Sequence, residues 1–470
     1  MKSRKDQVQA YFFVVGRLAA AVTHGKPDVL EAPSKRMVTG TVLGFVLAAV
    51  IMGVFGIVGM FAPSKGDSSW RQEGAIVMDE ASGARYVYLN GQLRPVLNYA
   101  SARLVSGQGG ALKAVSTAAL AGSTVGQPIG IPGAPDSLPT PSSVTSGTWT
   151  VCTQPAGNTP VVTLLVGPPA GRQLTDEQGF LVSAPGGKTY LLWRGKRFEI
   201  RDRSTIAALG FGTATPAEMP ALWLNTIPQG ADLTAPVIRG AGEAGPVIEG
   251  RQSLVGQIYQ VRNSAIDSEQ NYVVRKEGLA AISRTGAALL LAAPTTRNAY
   301  PDGPIEPVRV GPASLTGVPI TASSGLANDL PPSPPEIIAP PSGEQYCVRH
   351  ESRAEGVSEP VMQVVPDVEV QRASVPVGEH SAGATVDRVG IAAGTGVLAR
   401  DQPAPGAAGT AVYLITDVGL KFPLANTEAV TTLGYTDQAA LPVPARLLDL
   451  LPSGPLLSRD SARQAQVVNP

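Results

Sequence analysis

The segment Ala184-Pro185-Gly186-Gly187-Lys188-Thr189 ends like a phosphate-binding G-x-x-x-x-G-K-[ST] loop. Such a loop needs a glycine at position 182, where Val182 stands, and must open a helix whose first N–H groups face the phosphates. Here Thr189 runs instead into Tyr190-Leu191-Leu192-Trp193, a strand-like run, so a hairpin turn accounts for the pattern better. A hydrolase triad would draw on His350 or His380, but no G-x-S-x-G lies near a strand–helix pattern, and the contexts CVRHES and VGEHSAG read as polar, exposed loop. Asp79-Glu80 and Asp176-Glu177 are adjacent carboxylates that point apart or into turns, not a general acid/base pair. With two cysteines and three histidines, a four-ligand Cys/His zinc motif is almost excluded, while carboxylate ligands stay open. Trp193 and Trp223 could face glycan, yet core packing is the expected role. We therefore assign no catalytic, cofactor or metal residues from sequence.

The elements that carry these residues are small. In 470 residues, 52 glycines and 42 prolines imply short elements and many turns, and about three domain-sized units. Lys plus Arg number 37 and Asp plus Glu also 37, so no global charge draws the chain to nucleic acid. Between Arg36 and Lys65 no charge occurs, and residues 38–62 form an apolar run that spans about 37 Å as a helix, enough for one membrane crossing. Its start, 38 residues into the chain, and its length argue for an uncleaved anchor over a signal peptide. Lys2, Arg4, Lys5, Arg17, Lys26, Lys35 and Arg36 precede it and Lys65 and Arg71 follow, which places residues 1–37 in the cytoplasm and the rest outside. Gly40 and Gly44 form a G-x-x-x-G suited to close helix packing in lipid. Residues 7–22 read as a further helix, apolar enough at Tyr11 to Val15 to seek the inner leaflet or a partner.

Beyond the membrane a unit repeats. Tyr190 to Gly230 aligns with Tyr413 to Gly454: Phe198 meets Phe422, Leu209-Gly210-Phe211 meets Leu433-Gly434-Tyr435, Pro220 meets Pro444, and Pro228 and Gly230 meet Pro452 and Gly454. Shorter relatives begin at Tyr86 and Tyr272. Each reads as strand, turn, strand, helix, with Asn98, Asp202, Ser283 or Asn426 at the position that caps the helix. Two-stranded hairpins are marginal alone, so each copy must pack on a neighbour. The expected organisation is α+β: a cytoplasmic N-terminal helix (1–37), a transmembrane helix (38–62), repeats at 75–121, 176–235, 254–295 and 408–462, and a discontinuous central β-domain from 149–175 and 345–405. Proline-rich straps (122–147, 331–343) join them. Cys152 and Cys347 are the only cysteines; on the outer side, an oxidising compartment favours their disulfide, closing a loop of nearly 200 residues worth up to about 5 kcal/mol.

The run from Lys5 to Val22, the single membrane helix, the motif Arg94-Pro-Val-Leu-Asn-Tyr-Ala-Ser-Ala-Arg-Leu104 and two cysteines among four repeats together resemble the EccB family of type VII (ESX) secretion systems over essentially the whole chain. The resemblance implies a structural membrane subunit of a secretion core, assembled with EccC, EccD and EccE and with itself as a dimer within a larger ring, near the mycosin protease. The residues themselves lead us to expect no cofactor, and the balanced charge no nucleic-acid partner. Two other readings stand beside it: an anchor for cell-wall peptidoglycan, and an ATPase, as some family members are named.

Overall fold

A computed structural model describes residues 4–25, 33–61, 68–107, 110–144, 147–155, 160–167, 171–323, 325–326, 329–378, 384–404, 406–407 and 409–466. The chain divides into two compact units, Met1–Arg71 with Val115–Gly122, and Gln72–Ala114 with Ser123–Pro470.

In the first unit, Arg4–His24 and Pro33–Phe61 are helices. The second is apolar on all sides over Val38–Gly56, where Thr39 and Thr41 alone interrupt Val, Leu, Ile, Phe, Met, Ala and Gly; this stretch is long and apolar enough to cross a membrane and is unburied along its length. The last residue of the expected span, Ala62, lies outside the described residues. The Arg4–His24 helix leaves Tyr11, Phe12, Phe13 and Leu18 exposed.

The second unit is a set of small sheets around a larger one. Each copy is a three-stranded antiparallel meander followed by a helix, one strand more than the expected hairpin. The meanders are Ile76–Asp79, Arg85–Leu89 and Gln92–Pro95; Gln178–Ser183, Thr189–Trp193 and Lys196–Ile200; Ile258–Asn263, Ser268–Arg275 and Gly278–Ile282; and Gly396–Gln402, Val412–Thr416 and Lys421–Leu424. Their helices are Tyr99–Ser106, Arg203–Ala208, Arg284–Ala292 and Thr427–Thr432.

After the helix the chain returns to flank the meander. In copies two, three and four a strand runs parallel to the first one: Ala217–Glu218, Val308–Val310 and Leu441–Pro444. Leu112–Val115 occupies that place in copy one. The other edge receives a parallel pairing in every copy, Leu93 with Val125, Arg197 with Gln229, Leu279 with Ile320 and Lys421 with Ser453. Both free edges of each meander are thus occupied, which removes the hazard of open β-edges. The repeats also run longer than the sequence implied: copy three extends to Thr321 and copy four begins at Gly396, taking that strand from the stretch 345–405 assigned to the centre. These strands escaped the alignment because the repeated signature begins only at the second strand of each meander.

The aligned Leu-Gly-aromatic motifs end the helices of copies two and four. Phe211 N–H donates to the Ile206 carbonyl at 2.9 Å and Tyr435 N–H to that of Val430 at 3.1 Å, with Gly210 (φ 81°) and Gly434 (φ 99°) in the left-handed region that closes such a cap. The Pro-x-Gly pairs dock the far edge: Arg197 N–H bonds the Pro228 carbonyl and Gly230 N–H returns to the Arg197 carbonyl, while Lys421, Pro452 and Gly454 repeat the geometry.

The central sheet has eight strands. Its row is Val375–Pro376, Arg388–Ile391, Val162–Val166, Thr148–Thr153, Glu344–Arg353, Val361–Pro366 and Arg172–Gln173, with Gly356–Val357 paired to Glu344–Arg353. Its middle strands are β-branched and buried on both faces. One face shares a core with copies two and four; the other is covered by Val370 of the helix Asp367–Arg372. Copy four also shares a core with copy one, and copy two packs Leu289 of copy three into its own, so the contacts run one, four, centre, two, three.

Candidate functional site

Cys152 and Cys347 are bonded to each other across neighbouring strands, their Cα atoms 4.1 Å apart. They are register partners in the antiparallel pair Thr148–Thr153 and Glu344–Arg353, although 195 residues separate them in sequence. Leu165, Val365 and Val370 pack around the bridge, and neither cysteine is exposed. The bridge therefore fastens the middle of the sheet and encloses copies two and three within the closed loop.

Each cap candidate sits at the N-cap position of its helix. The Asn98, Ser283 and Asn426 side chains accept from Ser101, Gly286 and Ala429 N–H at 3.0, 3.0 and 2.9 Å. Asp202 departs from the pattern: its carboxylate caps nothing. The Thr205 N–H, which it would accept, donates to the Asp202 backbone carbonyl at 3.1 Å in a tight first turn, and the exposed carboxylate faces solvent. Gly40 and Gly44 lie on the apolar helix with nothing within 4 Å of where a Cβ would be.

The other chemical candidates are structural. Ala184–Thr189 is the turn between antiparallel strands Gln178–Ser183 and Thr189–Trp193, closed by Ala184 N–H to the Lys188 carbonyl at 2.8 Å. Lys188 Nζ lies 3.6 Å from Glu199. Asp79 is the buried last residue of the strand Ile76–Asp79 and accepts from Ser82 Oγ of the following turn at 2.5 Å, and Asp176 pairs with Arg194. Trp193 and Trp223 are buried, their indole N–H groups donating to the Asp176 and Val151 carbonyls at 2.7 and 3.0 Å, so neither presents a stacking face. His350 corrects the sequence reading. It lies in Glu344–Arg353, wholly buried, because CVRHES alternates along a central strand instead of forming a loop. Burial, then the charge of Arg446, pushes its imidazole down to about 3. His380 lies outside the described residues. Among the described residues no group of three or more His, Cys, Asp and Glu could hold a metal ion. An open cavity of about 330 Å³ lies between the copy-two hairpin and the sheet edge, lined by Leu174, Asp176, Gln178, Arg194, Glu359 and Met362.

Copies two and four each fasten their third strand to their own short helix through a shared device that the sequence reading missed. Arg197 Nη1 donates to the carbonyl of Leu224, the last residue of Ala221–Leu224, at 2.9 Å and to Asn225 Oδ1 at 3.1 Å. Lys421 Nζ does the same to Leu448, the last residue of Ala445–Leu448, at 2.6 Å, with Asp449 at 3.6 Å. Each cation also lies 5.8 Å from a tyrosine ring, Tyr190 or Tyr413. A cation at a helix C-terminus satisfies open carbonyls and complements the dipole. Burial lowers the Lys421 ammonium from its usual range, while Asp449 and Asp401 act against that. The signal was a basic residue directly before each aligned phenylalanine, absent at Leu93 and Leu279 in copies one and three.

Residues 2–469 match the family described as type VII secretion system ESX-1, transport TM domain B. The chain is 30% identical to the ESX-3 secretion system ATPase EccB3 of Mycolicibacterium smegmatis, covering 97% of this chain and 90% of that protein. It is 28% identical to the ESX-2 secretion system ATPase EccB2 of Mycobacterium tuberculosis, covering 99% and 95%. A solved EccB3 dimer from the ESX-3 core complex superposes with a TM-score of 0.69 at 27% identity, over 83% of this chain and 100% of that one. A periplasmic assembly from the ESX-5 inner membrane complex gives 0.69 at 25% identity, over 87% and 99%. With one membrane-length helix ahead of four related sheets on a bridged centre, and a family match along nearly its whole length, the chain belongs to the EccB family of type VII (ESX) secretion systems.

Proposed function

We propose that the chain is a structural subunit of an ESX inner membrane complex: Val38–Gly56 fixes it in the membrane, residues 1–37 lie in the cytoplasm and dock partners, and the sheets form an interaction platform on the periplasmic side. The observation that carries this reading is the joining of a membrane-length helix to a multi-sheet body in which Lys188 sits on a hairpin turn and Trp193, Trp223 and His350 are buried in the sheets. Solved relatives stand in an inner membrane complex and as a dimer, which supports a dimer here within such a complex. In our proposal that dimer stands in a larger ring, with EccC, EccD, EccE and the mycosin protease as neighbours. The word ATPase in the relatives' names draws no support from Lys188, which sits on a hairpin turn beside Glu199.

Purification of the tagged full chain from membranes in mild detergent tests the proposal. The expected result is recovery with other ESX membrane subunits and a cross-linked species of at least two copies. A lone monomer under conditions that keep the remaining subunits together overturns it.

A further inference from the structure

Cys152 and Cys347 join the middle of the central sheet, but the topology gives the two thiols unequal surroundings while the bond is being made. Cys152 lies in Thr148–Thr153, whose neighbours are Val162–Val166 on one side and Glu344–Arg353 on the other. The first neighbour follows directly in the chain and sets Thr163 opposite Cys152. The second brings Cys347, at a sequence separation of 195. Until Glu344–Arg353 is in place, Thr148–Thr153 is an edge strand with its outer side open.

The cover over the bridge comes equally late. Leu165, Val365 and Val370 pack around the two cysteines, and of these only Leu165 precedes Cys347 in the chain. Cys347 has its shelter close by: Val361–Pro366 sets Gln363 opposite it, and the helix Asp367–Arg372 brings Val370 into the same core. In the finished sheet both cysteines are wholly buried, so an oxidant must reach them before the sheet closes. The open strand also carries Trp149 and Val151, whose core is completed by residues of copies two and four. An uncovered strand of this kind can be held by a protein through its edge and its apolar side chains, which a small disulfide cannot do.

Resting on the outward placement of the sheets, we propose that the chain is a substrate of a protein disulfide carrier outside the membrane, with Cys152 as the attacking thiol and Cys347 as the resolving thiol. Cys152 gives its proton to solvent and its thiolate attacks one sulfur of the carrier's disulfide; that S–S bond breaks, and the carrier's other sulfur leaves as a thiolate and is protonated. Cys347 then loses its proton, attacks Cys152 Sγ and expels the carrier's first sulfur, which is protonated in turn. Two electrons and two protons have passed to the carrier, which departs as a dithiol.

The test pulse-labels the tagged full chain in producing cells, quenches with acid, alkylates free thiols and separates the products without reductant. The parent should pass through a reducible adduct with another protein on its way to the bridged form. Cys347→Ser should hold that adduct on Cys152 at a level about tenfold above any adduct in Cys152→Ser, because only the former keeps the attacking thiol and lacks the resolving one. The adduct precedes closure of the sheet, so a variant that fails to fold still reports. Equal adducts in the two variants, an adduct chiefly on Cys347, small-thiol adducts alone, or no adduct overturns the proposal. Val237→Cys, exposed on the same body, separates this from the topology: its labelling from outside by an impermeant maleimide alongside any of those results leaves the outward placement standing, and its protection until lysis removes both.

Discussion

A neutral imidazole held at about 3 inside a sheet makes His350 an acid sensor of the fold. An unfolded chain takes up that proton near 6.5, whereas the native chain refuses it until about 3, so this contribution to stability is complete above pH 6.5 and declines as pH falls between the two values. The loss reaches about 3 kcal/mol by pH 4 at roughly 1.4 kcal/mol per unit. Thermal midpoints measured from pH 7 to pH 4 should fall less steeply in His350→Leu than in the parent; parallel curves would remove His350 from the account. Packing sets a second residue-scale constraint. A Cβ at Gly230 would lie 2.6 Å from the Phe198 ring, and one at Gly454 closer still to the Phe422 ring. Gly454→Ala should therefore cost about 1–3 kcal/mol through overpacking, read as a lowered thermal midpoint, while Gly186→Ser, in an open turn with φ 93°, acts through backbone strain alone.

Among the elements, three caps are made by side chains and one is not, which separates otherwise similar substitutions. Asn98→Ala and Asn426→Ala should each cost about 1 kcal/mol, and Asp202→Ala should stay within about 0.5 kcal/mol of the parent; equal losses at all three would contradict the geometry. The same comparison shows how far the sequence could be read. The Tyr-turn-Asn/Asp/Ser signature located the second and third strands and the helix of all four copies, because turn glycines and cap residues act locally. It could not locate Ile76–Asp79 or Gly396–Gln402, short strands with no signature of their own, nor edges such as Ala217–Glu218, two residues held only by pairing with a distant strand. The polar letters around His350 misled for a related reason: a strand with neighbours on both sides and cores on both faces buries polar residues that a loop would expose.

For the whole molecule, the distribution of positive charge around one apolar helix sets the proposed polarity, and a thiol can report it. The native cysteines are joined and buried, so a single introduced cysteine supplies the signal. In spheroplasts, Val237→Cys, at a side chain 86% exposed, should react with a membrane-impermeant maleimide, and Gln9→Cys should react only after lysis; the reverse order would invert the chain in the membrane. Finally, the sheet's central pair brings residues 148–153 against residues 344–353, with two complete copies in between. During synthesis at about 5–20 residues per second, the earlier strand emerges roughly 10–40 s before its partner exists. Throughout that interval the first copies can close their own small sheets while the hub they surround stands half-built, so the nascent protein completes its centre late, from the outside inward.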